Sequence, residues 1–193
     1  LKKVAVKGGP ALTLAETTGS VGAWLADDTI VFTRFTERGW ELTRVSAAGG
    51  AATSLTTPDP ANNEYRHAFP EPLPGGNDIL FSIFDRMDSE DNRRIAVLSL
   101  ATGKYRTIIE HGSHARYVPS GLGSPKRGQR EGGHLVYMLD GNLMAVPFDL
   151  SRLQTTGPSV PVVENVRSTR NGEATFAVSR AGFLVYAPVE AFN

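Results

Sequence analysis

The chain has 193 residues, with 20 Gly, 12 Pro, no Cys, and 20 basic side chains balancing 20 acidic ones. Zero net charge gives no electrostatic pull toward nucleic acid or an anionic membrane surface, and the absence of Cys excludes disulfide frameworks and thiolate metal sites. No apolar run approaches the roughly 18–20 residues of a helical membrane span, and frequent turn residues favour many short elements over a few long ones.

In chain order, the first predicted strand covers 4–6, followed by a Gly8-Gly9 turn and a short strand at 11–14. Opening on Leu1 and at once on a strand, with no signal peptide, the sequence reads as a piece of a longer protein. Predicted strands then follow at 21–25, 28–32, 41–45 and 52–55, with Gly49-Gly50 joining the last two. The same series returns at 67–70, 76–81, 95–100 and 104–109 around Thr102-Gly103. It returns again at 115–118, 133–137, 143–148 and 159–163 around Thr156-Gly157, and a final pair covers 175–178 and 182–186. The one helical candidate, 151–154, is a single turn.

This is a repeat. Four β-branched or apolar runs each close on an aromatic, Phe32, Phe81, Tyr137 and Tyr186, spaced 49, 56 and 49 residues apart. Four strands in roughly 40–55 residues is the size of a propeller blade. The predicted fold is all-β, a β-propeller of four-stranded antiparallel blades. The first strand of each blade lines the channel, and the second carries the apolar load between blades. The phase assigns a half blade to 1–14, blades to about 20–56, 65–110 and 114–164, and a half blade to 172–188. Either the chain is an arc of a larger ring, or the two halves meet in one sheet and close a four-bladed ring. Halves that do not meet leave unpaired strand edges.

Two insertions break the period. Residues 84–93 are densely charged and read as a solvated hairpin loop; their carboxylates suggest a cation, but their spacing fits no Ca²⁺ loop, and Arg86, Arg93 and Arg94 oppose one. Residues 120–132 are Gly-rich and basic. Such a loop is either a connector or a phosphate cradle built from backbone N–H groups. It lacks Walker spacing and leads into a strand rather than a helix.

No nucleophile elbow, His-Glu-x-x-His helix or dinucleotide fingerprint is present. The prediction is therefore no catalytic residue, no metal site and no cofactor. One constellation stands out: Tyr65-Arg66-His67 and His114-Ala115-Arg116-Tyr117 fall at equivalent points of successive units. Facing the channel mouth, Arg66, His67, His114 and Arg116 make a cationic, aromatic-rimmed pocket for a small anion or a peptide carboxylate. The competing reading makes them repeat residues that hold blade to blade. Trp24 and Trp40 read as inter-blade packing. Pro147 reads as the end of its strand, and Asp149 as the cap of the next turn.

Several phrases resemble the TolB-like, WD-repeat-like propeller repeats of bacteria, particularly those C-terminal to serine/threonine protein kinase domains. They are Arg44-Val45-Ser46-Ala47-Ala48-Gly49-Gly50, Phe69-Pro70-Glu71-Pro72-Leu73-Pro74-Gly75-Gly76, Leu98-Ser99-Leu100-Ala101-Thr102-Gly103, Ala115-Arg116-Tyr117-Val118-Pro119-Ser120-Gly121 and Leu143-Met144-Ala145-Val146-Pro147-Phe148-Asp149. The resemblance implies a six-bladed or related propeller, soluble and periplasmic or otherwise extracytoplasmic, that senses a ligand or binds a protein or peptide partner without shared catalytic residues. The sequence departs from the pattern at 121–132 and carries too few blades for six. The expected function is a non-catalytic interaction or sensing module. The alternative is the accessory propeller of an enzyme, a kinase or a prolyl-oligopeptidase-type peptidase, whose catalytic domain lies outside this chain. A metal-dependent propeller lactonase or lyase is disfavoured by the scarcity of clustered carboxylates and histidines.

Overall fold

Strands with a neighbour on each side and a blade above and below must be apolar along their whole length. The second strand of the middle complete repeat answers this: from Ile79 to Phe84 every side chain is buried. The computed structural model describes residues 1–17, 19, 21–120, 132–169, 172–179 and 181–189, and shows a β-propeller arc. Residues 121–131, which include most of the Gly-rich insertion, lie outside the described residues.

The first half blade pairs β1 (Lys2–Lys3) with β2 (Leu12–Thr13). The next blade holds β3 (Gly22–Trp24), β4 (Thr29–Thr36), β5 (Gly39–Ser46) and β6 (Thr53–Ser54). The second holds β7 (Arg66–Pro72), β8 (Asp78–Phe84), β9 (Arg94–Ser99) and β10 (Tyr105–Ile109). In the third, β11 (Ser113–Pro119), β12 (Gly132–Leu139) and β13 (Asn142–Asp149) are followed by β14 (Gln154–Thr155) and β15 (Val160–Val163), which share the outer edge of β13. The chain closes with β16 (Phe176–Val178) and β17 (Leu184–Tyr186). Pairing within each blade is antiparallel, and one parallel contact, Trp40 to Arg66, joins the first two complete blades.

Successive side chains of a strand point to opposite faces, and the blades use this to build separate inter-blade cores. Val31 and Leu42 meet Ile79, Phe81, Ile83 and Leu98 across the first junction. Leu80, Ile95 and Val97 point the other way and meet Leu135, Tyr137, Val146 and Phe148. Each fully buried side chain of this kind stabilises the fold by about 1.5–3 kcal/mol.

The two half blades remain separate two-stranded sheets, and no strand of one pairs with the other among the described residues. The four-bladed closure is therefore not formed. Its consequence is visible at the repeat aromatics: Phe32, Phe81 and Tyr137 are at most 2% exposed, whereas Tyr186 is 46% exposed.

Other expectations need correction. The opening strand is at Lys2–Lys3; residues 4–6 lead into a turn in which the Gly8 N–H donates to the Ala5 carbonyl, leaving Val4 and Val6 exposed. Pro147 does not stop β13. Its carbonyl accepts from the Thr156 N–H on the outer side, in the gap between β14 and β15, so no ladder bond is asked of the missing Pro N–H. Asp149 does cap the next turn, accepting from the Ser151 and Arg152 N–H groups. Trp24 is not packed between blades: it is exposed and donates from Nε1 to Asp28. Trp40 is half-buried against Phe35. The 84–93 loop is organised rather than merely solvated. Asp85 accepts from the Ser89 N–H and from Asn92 Nδ2, and Arg93, itself buried, reaches Asp88 and Glu90.

Candidate functional site

The inner strands β7 and β11 each break register once. Ala68 faces Ser82 and Glu71 faces Leu80; Ser113 faces Met138 and Arg116 faces Val136. Each break is a β-bulge, and each has a left-handed residue at its centre, Phe69 at φ 56° and His114 at φ 53°. This register makes Phe69 the counterpart of His114, and Glu71 the counterpart of Arg116. The segments 65–67 and 114–117, expected at equivalent points of successive units, are therefore not counterparts. The bulge counterparts meet directly: the Phe69 and His114 rings stack at 4.6 Å, and Arg116 forms an ion pair with Glu71. A left-handed non-Gly residue costs about 1–3 kcal/mol and needs local bonds to hold it. At His114 these are its own N–H donating to Ser82 Oγ at 2.8 Å, and its Nδ1 accepting from the Ala174 N–H at 2.9 Å.

His67 is not at the channel mouth. It is fully buried at the junction of the first two complete blades. The Leu42 N–H donates to Thr56 Oγ1 at 3.1 Å, and Thr56 lies 2.8 Å from His67 Nδ1. His67 Nε2 lies 3.1 Å from Glu64 Oε2, which also accepts from the Tyr105 hydroxyl at 2.6 Å and the Asp59 N–H at 3.0 Å. Because the carboxylate only accepts, Nε2 carries the ring proton and Nδ1 accepts from Thr56. Burial pushes the His67 pKa below the ordinary histidine value against the pull of Glu64. Burial alone would raise the Glu64 carboxyl, but the bonds from His67, Tyr105 and Asp59 outweigh it and hold the pKa below the usual range. A hydroxyl, an imidazole and a carboxylate in series resemble a nucleophile relay. Here Thr56 is 4% and His67 0% exposed, and neither lines the pocket that opens at this junction, so no substrate reaches them.

His114 and Arg116 do lie together. With Val21, Glu173, Phe176 and Tyr186 they line a pocket of about 510 Å³. Burial and the adjacent Arg116 charge push the His114 pKa down to about 3, so the ring is neutral. Its Nδ1 accepts from a backbone N–H, and the proton is therefore on Nε2. That N–H faces Arg116 NH2 at 3.2 Å. Two donors confront one another, with no acceptor shared between them among the described residues.

Arg66 belongs to a different pocket, about 310 Å³ in volume, between the first two complete blades. Its guanidinium lies 3.8 Å over the Phe84 ring and 3.5 Å from Asp88. Val21 and Glu173 line both pockets. Glu173 gave no signal in the sequence. Gly172 places it there: at φ 74° the backbone passes so near Phe84 that a Cβ would lie 2.8 Å from the ring. Among the described residues, no three His, Asp or Glu side chains gather as metal ligands do, and no helix is long and apolar enough to cross a membrane.

Neither a protein-family model nor a curated protein matches the sequence. Solved structures do match. Regucalcin, a calcium-binding protein from Agrobacterium tumefaciens strain C58, aligns over 97% of this chain and 59% of its own at a TM-score of 0.59 and 17% identity. TolB from Acinetobacter baumannii aligns over 98% of this chain and 54% of its own at a TM-score of 0.51 and 16% identity. Both are β-propellers, and at these identities the likeness is one of fold. The chain spans somewhat more than half the length of each.

Proposed function

We propose that this β-propeller chain is a non-catalytic module that recognises a protein or peptide partner through a carboxylate bound at His114 and Arg116. The observation that carries the reading is the pair of unmatched donors, the His114 Nε2–H and Arg116 NH2, beside a pocket mouth. A carboxylate oxygen placed against both accepts from both, and a charge-assisted bond to Arg is the stronger of the two. Glu71 occupies only one side of the Arg116 guanidinium, leaving NH2 for the ligand. The burial of the Thr56–His67–Glu64 series supports a binding role over a hydrolytic one. Under this reading the module works outside the cytoplasm, as the resemblance to kinase-associated propeller repeats implies, and belongs to a larger bacterial protein.

The test uses a peptide library with free C-terminal carboxylates and the same library amidated, with the Ala174 amide resonance as reporter, since its N–H donates to His114. Free-acid peptides are expected to bind at least about 10-fold tighter than their amides, and Arg116→Ala to abolish that difference. Arg66→Ala is expected to preserve it. Equal binding of acids and amides, or a preference that survives Arg116→Ala, overturns the reading.

A further inference from the structure

The pocket between the first two complete blades carries groups that the carboxylate reading does not use. Trp40, Tyr65 and Phe69 wall it, Thr33 is buried beneath it, and the exposed Arg86 and Glu173 stand at its rim. The Thr33 hydroxyl is buried with no hydrogen-bond partner among the described residues, a state that is uncommon in folded chains. The other charges of the pocket are occupied. Asp85 is bonded within its own loop, and Asp88 is shared by Arg66 and Arg93. Arg86 stacks 4.6 Å over the Tyr65 ring and has no ion pair among the described residues, and the Glu173 carboxylate has no cationic partner among them.

These groups discriminate between ligand classes. A simple anion meets Glu173, a simple cation meets Arg86, and a purely apolar molecule leaves both charges and the Thr33 hydroxyl unmatched. A zwitterion with an apolar body satisfies all of them. We infer that this pocket binds a free α-amino acid with an apolar or aromatic side chain. The ammonium group meets Glu173, the carboxylate meets Arg86, and the side chain lies against Trp40 and Phe69. The Thr33 hydroxyl bonds to the polar head. A volume of about 310 Å³ is at the lower end of small-molecule pockets and suits a ligand of this size. His114 and Arg116 do not line this pocket, so the inference goes beyond the carboxylate reading and does not depend on it.

The chain has two tryptophans, so a Trp24→Phe background leaves Trp40 as the only indole reporter. Titrated with L-phenylalanine and L-leucine, its emission is expected to change saturably. N-acetyl-phenylalanine and phenylalanine amide are each expected to bind at least about 10-fold more weakly. Glu173→Gln weakens the free amino acid by a similar factor but leaves the N-acetyl derivative, which has no ammonium, unchanged. Thr33→Val, which removes a buried unpartnered hydroxyl, keeps the fold and weakens binding. Arg116→Ala leaves all of these values unchanged, which separates this test from the peptide test. No saturable change with either amino acid up to about 10 mM, or binding of either blocked derivative as tight as that of free phenylalanine, overturns the inference.

Discussion

The junctions on either side of the second complete blade use the same residue types to opposite ends. At the first, Leu42, Thr56, His67, Glu64 and Tyr105 form a series in which each donor has an acceptor, and none of the central atoms reaches solvent. At the second, His114 has its Nδ1 satisfied by Ala174 and its Nε2–H aimed at another donor, beside an open pocket. A closed polar network holds blades together; an open one presents unmet bonding capacity to a ligand. The presence of a histidine beside an arginine does not separate the two cases. The count of donors and acceptors does.

The largest expected effect lies at the closed junction. Glu64→Ala strands His67 and Tyr105 without their acceptor and removes the Arg94 partner, 3.6 Å away. Breaking a buried charged network from one side costs about 3–5 kcal/mol. His67→Ala adds a cavity to the loss and falls in the same range. Urea unfolding reads both. A loss below about 1 kcal/mol for either variant removes the distinction between the junctions.

Acid tests both junctions at once. His67 and His114 have folded pKa values below the ordinary 6.5, that of His114 at about 3. The unfolded chain therefore takes up protons that the folded chain refuses, and stability is lost as pH falls below about 6.5. Glu64, whose pKa is lowered from 4.5, acts in the same direction: its contribution is present above that value and lost further into acid. Well below 6.5 each histidine contributes a slope of up to about 1.4 kcal/mol per pH unit. His114→Asn isolates one of them, because Asn tolerates the left-handed backbone and offers an acceptor to the Ala174 N–H. Its unfolding free energy between pH 6 and 5 is expected to fall less steeply than that of the parent. An unchanged slope shows that His114 is protonated in the folded chain.

The architecture was legible because blade strands obey a strong pattern: an apolar run closed by an aromatic, between turns that recur in step. The site was only partly legible. Phe69 and His114 occupy counterpart bulges 45 positions apart, whereas the repeat aromatics that follow them, Phe81 and Tyr137, are 56 apart, so the unequal link after each inner strand hides the alignment. Strand period cannot show this, because neither bulge carries a glycine to mark its positive φ. Glu173 reaches both pockets through a close passage of Gly172 against Phe84, a contact between residues 88 positions apart. Val4 and Val6 have strand composition yet lie in a turn region, because no neighbouring strand covers them.

The smallest effect separates what looks strong from what stabilises. The Arg116–Glu71 pair is an ion pair of the open junction, and both side chains are partly exposed, 31% and 22%. Water screens such a pair and side-chain ordering offsets it, so a double-mutant cycle over Arg116→Ala and Glu71→Ala is expected to give a coupling of about 0.5–1 kcal/mol. The same cycle over Glu64→Ala and His67→Ala measures a desolvated contact and is expected to exceed about 2 kcal/mol. If Arg116 serves the ligand rather than the fold, its removal leaves unfolding nearly untouched while abolishing the free-acid preference of the peptide. If the two cycles return equal couplings, Arg116 is a second strut and the open junction is closed in function as well.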